Sequence, residues 1–121
     1  DPDRVRFEVG DAMALRDDLG SFDAIHAANL ICRLRDPERF LRRLPQLLNP
    51  GGTLALTTPC TWLGEFTPPD NWPKKPTIEW LGDHLGNDFE LRSTLDLPFI
   101  IRETARKFQW TVAQGSTWVR V

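Results

Sequence analysis

Polar and apolar residues alternate from Arg4 through Val5, Phe7 and Val9 to Gly10. A period of two predicts a strand over residues 4–9 with one face exposed, near a sheet edge. Residues 11–15 follow as a loop or one helical turn. Residues 22–28 (Phe-Asp-Ala-Ile-His-Ala-Ala) are mostly small and apolar, the pattern of a strand buried on both faces. Phe40, Leu41, Leu44, Leu47 and Leu48 then recur at helical spacing, while Glu38, Arg39, Arg42 and Arg43 fall largely outside the stripe. Asp36 followed by Pro37 supplies a capping oxygen and a proline at the first helical position. Pro45 is expected to shorten or kink the last turn. Asn49-Pro50-Gly51-Gly52 ends the helix, because proline cannot continue it and glycine accepts positive φ.

Residues 53–58 form the next apolar run, stopped by Pro59. Strand, helix, tight turn and strand together spell a βαβ crossover, the unit of parallel sheets. Residues 59–76 read as a long irregular loop containing Trp62 and Trp72. A loop of that length in a compact domain is usually functional or disordered, and its aromatic content argues against disorder. Residues 77–85 predict a helix capped by Thr77. Residues 89–97 alternate as a strand, and residues 108–121 carry a second alternating run at Thr117–Val121 that is expected to pair with it antiparallel. There is no internal repeat and no low-complexity tract.

Composition narrows the class. A chain of 121 residues with 40% hydrophobic and 26% charged residues suits one domain around one core. The net charge of -2, with both signs interspersed, gives no basic block for nucleic acid and no polybasic face for a membrane. No apolar run approaches the roughly 20 residues of a membrane span. Asp1 to Arg4 do not resemble a signal peptide. Two cysteines are too few for a disulfide scaffold, so a reducing cytoplasm is the expected location.

In open α/β sheets ligands sit beyond the carboxyl ends of the strands, so the residues after each strand carry the candidate chemistry. Asp11, after Gly10, either meets an adenine ring or caps its own turn. Asn29, after Ala28, either meets a ligand in the crevice or ties its own turn. His26 reads as a satisfied core histidine and His84 as solvated, and the two have no metal-site spacing. Cys32 and Cys60 each follow a strand; they either open toward one crevice or are two small hydrophobic residues. On the long loop, Trp62, Glu65, Phe66 and Trp72 either build a substrate lid or pack back to hold the loop. Arg102, Glu103, Arg106 and Lys107 read as a solvated cluster before the last strand. Neither a nucleophile elbow nor a phosphate-binding P-loop is present.

Gly10-Asp11-Ala12, Phe22-Asp23-Ala24-Ile25, Asn29-Leu30, Leu48-Asn49-Pro50-Gly51-Gly52 and the Thr58-Pro59 strand end, taken in order, resemble the second half of a class I S-adenosylmethionine-dependent methyltransferase. More narrowly, the run from Ala28 to Leu34, the loop from Thr58 to Trp72 and the tail from Pro98 to Trp110 resemble the 4-mercaptohistidine N-methyltransferase domain of ovothiol-forming enzymes. That family folds as a seven-stranded sheet of order 3-2-1-4-5-7-6 with the seventh strand antiparallel.

The resemblance implies an α/β fold: a partial Rossmann-like sheet, strands 3 to 7, mostly parallel with an antiparallel closing strand. Residues 4–9 would be strand 3. Asp11 and Ala12 would face the adenine, and Ala28, Asn29 and Leu30 the methionine part and the methyl group. Trp62, Phe66 and Trp72 would lie on the substrate side. Asn29 and Glu65 are the candidates for fixing the acceptor's tautomer, and no metal is implied. The family's glycine-rich turn after strand 1 and acidic residue after strand 2 are both missing, so the first βαβ half is absent. Residues 1–121 therefore read as the C-terminal half of a longer protein. Strand 3 could then pair directly with strand 4, two copies could pair across the gap, or the missing half could fill it. Self-association or a rearranged edge is expected of the isolated chain. Its partners would be a small-molecule acceptor and the N-terminal half of the same protein. The alternatives are a non-catalytic interaction module or truncated pseudoenzyme, or a methyltransferase for another small molecule.

Overall fold

A computed structural model describes all 121 residues, Asp1–Val121. Its sheet contains β1 (Phe22–Ala28), β2 (Leu48–Thr58), β3 (Phe89–Thr104) and β4 (Lys107–Arg120), in the order β1-β2-β4-β3. β1 and β2 pair parallel, and β4 pairs antiparallel with both β2 and β3. Three strands thus share a direction and β4 runs against them. The helices are α1 (Pro37–Leu47) and α2 (Thr77–Leu85).

α1 forms for the reasons its sequence gives. The Asp36 carboxylate accepts from the Arg39 amide at 3.3 Å, which satisfies one of the orphan donors of the first turn. Phe40, Leu41, Leu44 and Leu47 are buried along one stripe, each contributing about 1.5–3 kcal/mol by burial. The helix runs through Pro45 to Leu47, and the freed last turn is tied down by the Arg120 guanidinium, whose Nε donates to the Pro45 carbonyl at 3.2 Å. Leu54 and Leu56 of β2, Trp118 of β4 and Ala27 of β1 meet this stripe and the α2 residues Trp80, Leu81 and Leu85 in one core. α2 is bounded as expected, but Pro76 precedes it without a side-chain cap and Thr77 is buried inside the first turn.

The turn from α1 into β2 inserts extra residues into the β1–β2 ladder, between the Phe22–Leu48 and Ala24–Thr53 pairs. Gly51 takes φ 81° there, and Gly52 is buried against backbone. A Cβ on Gly52 would lie 2.8 Å from the Asn49 carbonyl oxygen and 3.0 Å from that of Asp23. Gly52→Ala is therefore expected to cost about 1–3 kcal/mol, as other insertions into close packing do. A lowered urea midpoint checks this; an unchanged one would show that the turn relaxes freely.

Several expectations are corrected. Residues 4–9 are not a strand: they follow a 3-10 turn (Pro2–Arg4) and run unpaired, with Phe7 92% exposed. The sheet therefore has four strands rather than five. The direct pairing of residues 4–9 with β1 does not occur, and β1 is an edge strand with one free side. Nor is β1 buried on both faces. Ala27 alone is fully buried, and Ala24, His26 and Ala28 are exposed, because no helix covers that face of the sheet. His26 is accordingly not a core histidine. His84 is not simply solvated: its ring packs edge-on to Trp80 at 4.8 Å, and Nε2 lies 3.4 Å from Glu38 on α1.

The β3–β4 hairpin is longer than its sequence pattern suggests. Pairing continues past Pro98 to Thr104 and Lys107. The charged cluster sits at its tip, where Lys107 meets Glu103 at 3.0 Å.

Candidate acceptor cavity at the end of β1

β1 ends in a turn that its sequence dictates. Asn29 adopts φ 51°, a left-handed conformation that asparagine tolerates better than most residues. Its amide donates to the Thr57 carbonyl at 2.9 Å and to Thr57 Oγ1 at 3.1 Å. The Thr57 hydroxyl in turn donates to Asn29 Oδ1 at 3.2 Å. The neighbouring strand thereby fixes the side chain, with Nδ2 left to donate elsewhere.

Asn29 lines a cavity of about 200 Å³, together with Cys32 and Arg33 beyond it, Phe66 of the long loop, and the hairpin. That volume lies below the roughly 300–1,000 Å³ of drug-sized ligand sites and suits a small molecule. The hairpin contributes Phe99 and Ile101 from β3 and Gln109 and Thr111 from β4. These four fall on one face because Phe99 pairs with Thr111 and Ile101 with Gln109. No carboxylate lines the cavity, and Arg33 is its one charged residue.

The long loop is ordered by polar ties. The buried Thr67 hydroxyl donates to the Leu34 carbonyl, Asn71 Nδ2 donates to the Arg35 carbonyl at 2.9 Å, and Trp72 Nε1 donates to the Thr67 carbonyl at 2.7 Å. The loop aromatics divide. Phe66 enters the cavity, with the Arg33 guanidinium 4.2 Å from its ring centroid. Trp62 packs back edge-on against Trp80 at 5.7 Å, and Trp72 holds the loop together. Both readings of the loop apply, to different residues.

The remaining candidates lie apart. Asp11 Oδ1 accepts from the Met13 amide at 2.9 Å and so closes its own turn. Asp11 and Asn29 line separate cavities. Ala12 and Leu30 rest half-buried against the core, Ala28 is exposed on β1, and Glu65 is exposed outside the Asn29 cavity. Cys32 is buried and Cys60 exposed, both as free thiols. They line different cavities. Burial pushes the Cys32 thiol up from its ordinary value, and its Sγ donates to the Asn29 carbonyl at 3.8 Å, so Cys32 acts as a small hydrophobic wall.

Arg33 and the hairpin residues are the site members that the sequence alone did not single out. The signal for the hairpin was present: alternation continues through Phe99 and Ile101, and resumes at Gln109 and Thr111 after the turn at Ala105-Arg106.

The fold has known relatives. A family model described as a methyltransferase domain matches residues 1–111. Among solved structures, one from the conversion of a disulfide bond into a thioacetal group during echinomycin biosynthesis superposes with a TM-score of 0.66 at 18% identity. It covers 94% of this chain and 55% of its own. A SAM-dependent methyltransferase from Methanosarcina mazei gives 0.65 at 18% identity, covering 95% and 66%. The N-methyltransferase NodS from Bradyrhizobium japonicum WM9, in complex with S-adenosyl-L-homocysteine, gives 0.56 at 12% identity, covering 92% and 52%. The chain thus spans about half to two thirds of the length of these structures, and at such identities the likeness is one of fold. With 111 of its residues matched by one family model, the chain belongs to the methyltransferase-domain family.

Proposed function

We propose that residues 1–121 are the C-terminal half of a class I methyltransferase domain using S-adenosylmethionine, and that the methyl acceptor is an imidazole nitrogen of 4-mercaptohistidine. The observation that carries the reading is the small, carboxylate-free cavity at the carboxyl end of β1, bordered by Asn29 and Phe66. The order β1-β2-β4-β3 with β4 reversed supports it, being what the last four strands of the order 3-2-1-4-5-7-6 require. On this reading a preceding segment of the same protein covers the free edge of β1 and the helix-free face of the sheet. It also supplies the glycine-rich turn and the acidic residue for the ribose. Without it, the free edge invites self-association. No helix is long and apolar enough to cross a membrane; two free cysteines favour a reducing cytoplasm.

The residues fit one flank of the cofactor. Asp11 is exposed, and its turn uses Oδ1 alone. The left-handed turn at Asn29 carries the chain away at the end of the strand. Asp11 and Ala12 would hold the adenine side, and Ala28, Asn29 and Leu30 the methionine end. S-adenosylmethionine, when bound, supplies an electrophilic sulfonium methyl group. The chain's own part is placement. Phe66, Phe99 and Ile101 present apolar surface to a flat ring, and Asn29 Nδ2 donates to the ring nitrogen that is not the nucleophile, which fixes the tautomer. Holding the attacking nitrogen in line can remove roughly 7–11 kcal/mol of barrier.

Calorimetric titration of the intact protein with S-adenosylhomocysteine, followed by a mass assay for methylated mercaptohistidine, tests the reading. Binding together with product formation supports it. Binding without product on this acceptor points to another small molecule, and no binding points to a non-catalytic module.

A further inference from the structure

The Arg33 side chain has no ion-pair or hydrogen-bond partner in the structure, and its amide donates to the Leu30 carbonyl at 2.9 Å. It lies at the rim of a cavity that contains no carboxylate. Its guanidinium carbon lies over the Phe66 ring, 4.2 Å from the centroid, a contact that uses none of the group's five N–H donors. Both members of the pair are anchored. Phe66 sits in a turn closed by its own amide and that of Thr67 on the Leu63 carbonyl, at 3.0 and 2.9 Å. The Thr67 hydroxyl then donates to Leu34, the residue after Arg33. Loop and turn are therefore fastened together where the stack forms, and the cation is preorganised. The remaining lining is neutral: amides and hydroxyls from Asn29, Gln109 and Thr111, and apolar surface from Phe99 and Ile101.

A planar guanidinium edge is the geometry that receives a carboxylate through two parallel hydrogen bonds. We propose that Arg33 binds a carboxylate carried by the acceptor, so that this cavity selects small anionic molecules with a flat ring over their neutral counterparts. The inference rests on the acceptor cavity assigned above and adds the charge class of its occupant. Because Arg33 stands at the rim, it fixes the far end of the acceptor and leaves the ring to Asn29 and Phe66.

The test uses the intact protein and two probes, 3-(imidazol-4-yl)propanoate and its primary amide, with affinities read by saturation-transfer NMR. The propanoate is expected to bind at least tenfold more tightly than the amide, with the preference shrinking as salt screens the charge. Arg33→Gln should bring both probes to the amide's affinity while leaving the unfolding midpoint in place, since Arg33 is exposed. Arg33→Lys, which keeps the charge and loses the fork, should retain part of the preference. Equal affinities in the native protein, a preference that survives Arg33→Gln, or no binding of either probe would overturn the proposal. S-adenosylhomocysteine binding is followed in parallel. Its absence alongside an intact carboxylate preference would overturn methyl transfer and leave the role of Arg33 standing.

Discussion

Trp118→Ala is expected to lower the unfolding free energy by about 3–5 kcal/mol, the range for a buried tryptophan cut back to alanine. Trp118 is 2% exposed and pairs in register with Leu54 on one side and Leu91 on the other. It is the core residue of the one strand that joins the βαβ half of the sheet to the hairpin. Domains hold only about 5–15 kcal/mol in total, so this loss removes between about a fifth and all of that total. Its Nε1 also donates to the buried Ser116 hydroxyl at 2.9 Å. Trp118→Phe keeps most of the packing and strands that hydroxyl, a cost of about 1–3 kcal/mol. Urea midpoints of both variants measure the effects. A shift for the alanine variant no larger than that for the phenylalanine variant would show that β4 is not the central support.

The second large effect is on turnover. Under the proposed function, Asn29→Gly in the intact protein is expected to slow methyl transfer at least tenfold, equivalent to about 1.4 kcal/mol of transition-state stabilisation, with little loss of stability. Glycine accepts φ 51° without steric cost. The amide hydrogen bonds to Thr57 survive, because they belong to the backbone. What disappears is the side chain at the cavity wall. Asn29→Ala removes the same group but adds a left-handed backbone penalty of about 1–2 kcal/mol, so its lost activity would mix two causes. Steady-state kinetics and a thermal midpoint on both variants separate them. Native turnover in the glycine variant would confine Asn29 to shaping the turn.

Residues 4–9 and β1 show why part of the fold was not legible. The alternation of Val5, Phe7 and Val9 specifies which side of a strand would be apolar. A strand also needs a neighbour to satisfy its amides and carbonyls, and residues 4–9 run unpaired while the outer side of β1 stays free. The small residues of β1 are equally compatible with a covered strand and an edge, since alanine loses little by exposure. Two members of the candidate cavity, Asn29 and Phe66, were legible in the sequence. Strand ends pointed to Asn29, and the aromatic loop pointed to Phe66. The loop's internal spacing did not say that Trp62 would turn toward Trp80 while Phe66 turned toward Arg33. That choice depends on the ties from Thr67 and Asn71 to residues 34 and 35, more than thirty positions away.

The sequence by itself determined the local elements. Asp36-Pro37 starts α1, the leucine stripe gives it one buried face, glycines shape the irregular start of β2, and the β4 alternation defines a core side. Propensity, capping and periodicity act within a few residues, so one chain suffices to read them. Tertiary structure alone decided the strand order, which edge stayed free, how far the hairpin reached, and that Arg33, Phe66 and Asn29 share one cavity with the hairpin. Those outcomes depend on pairings between distant segments, whose energies local patterning does not encode.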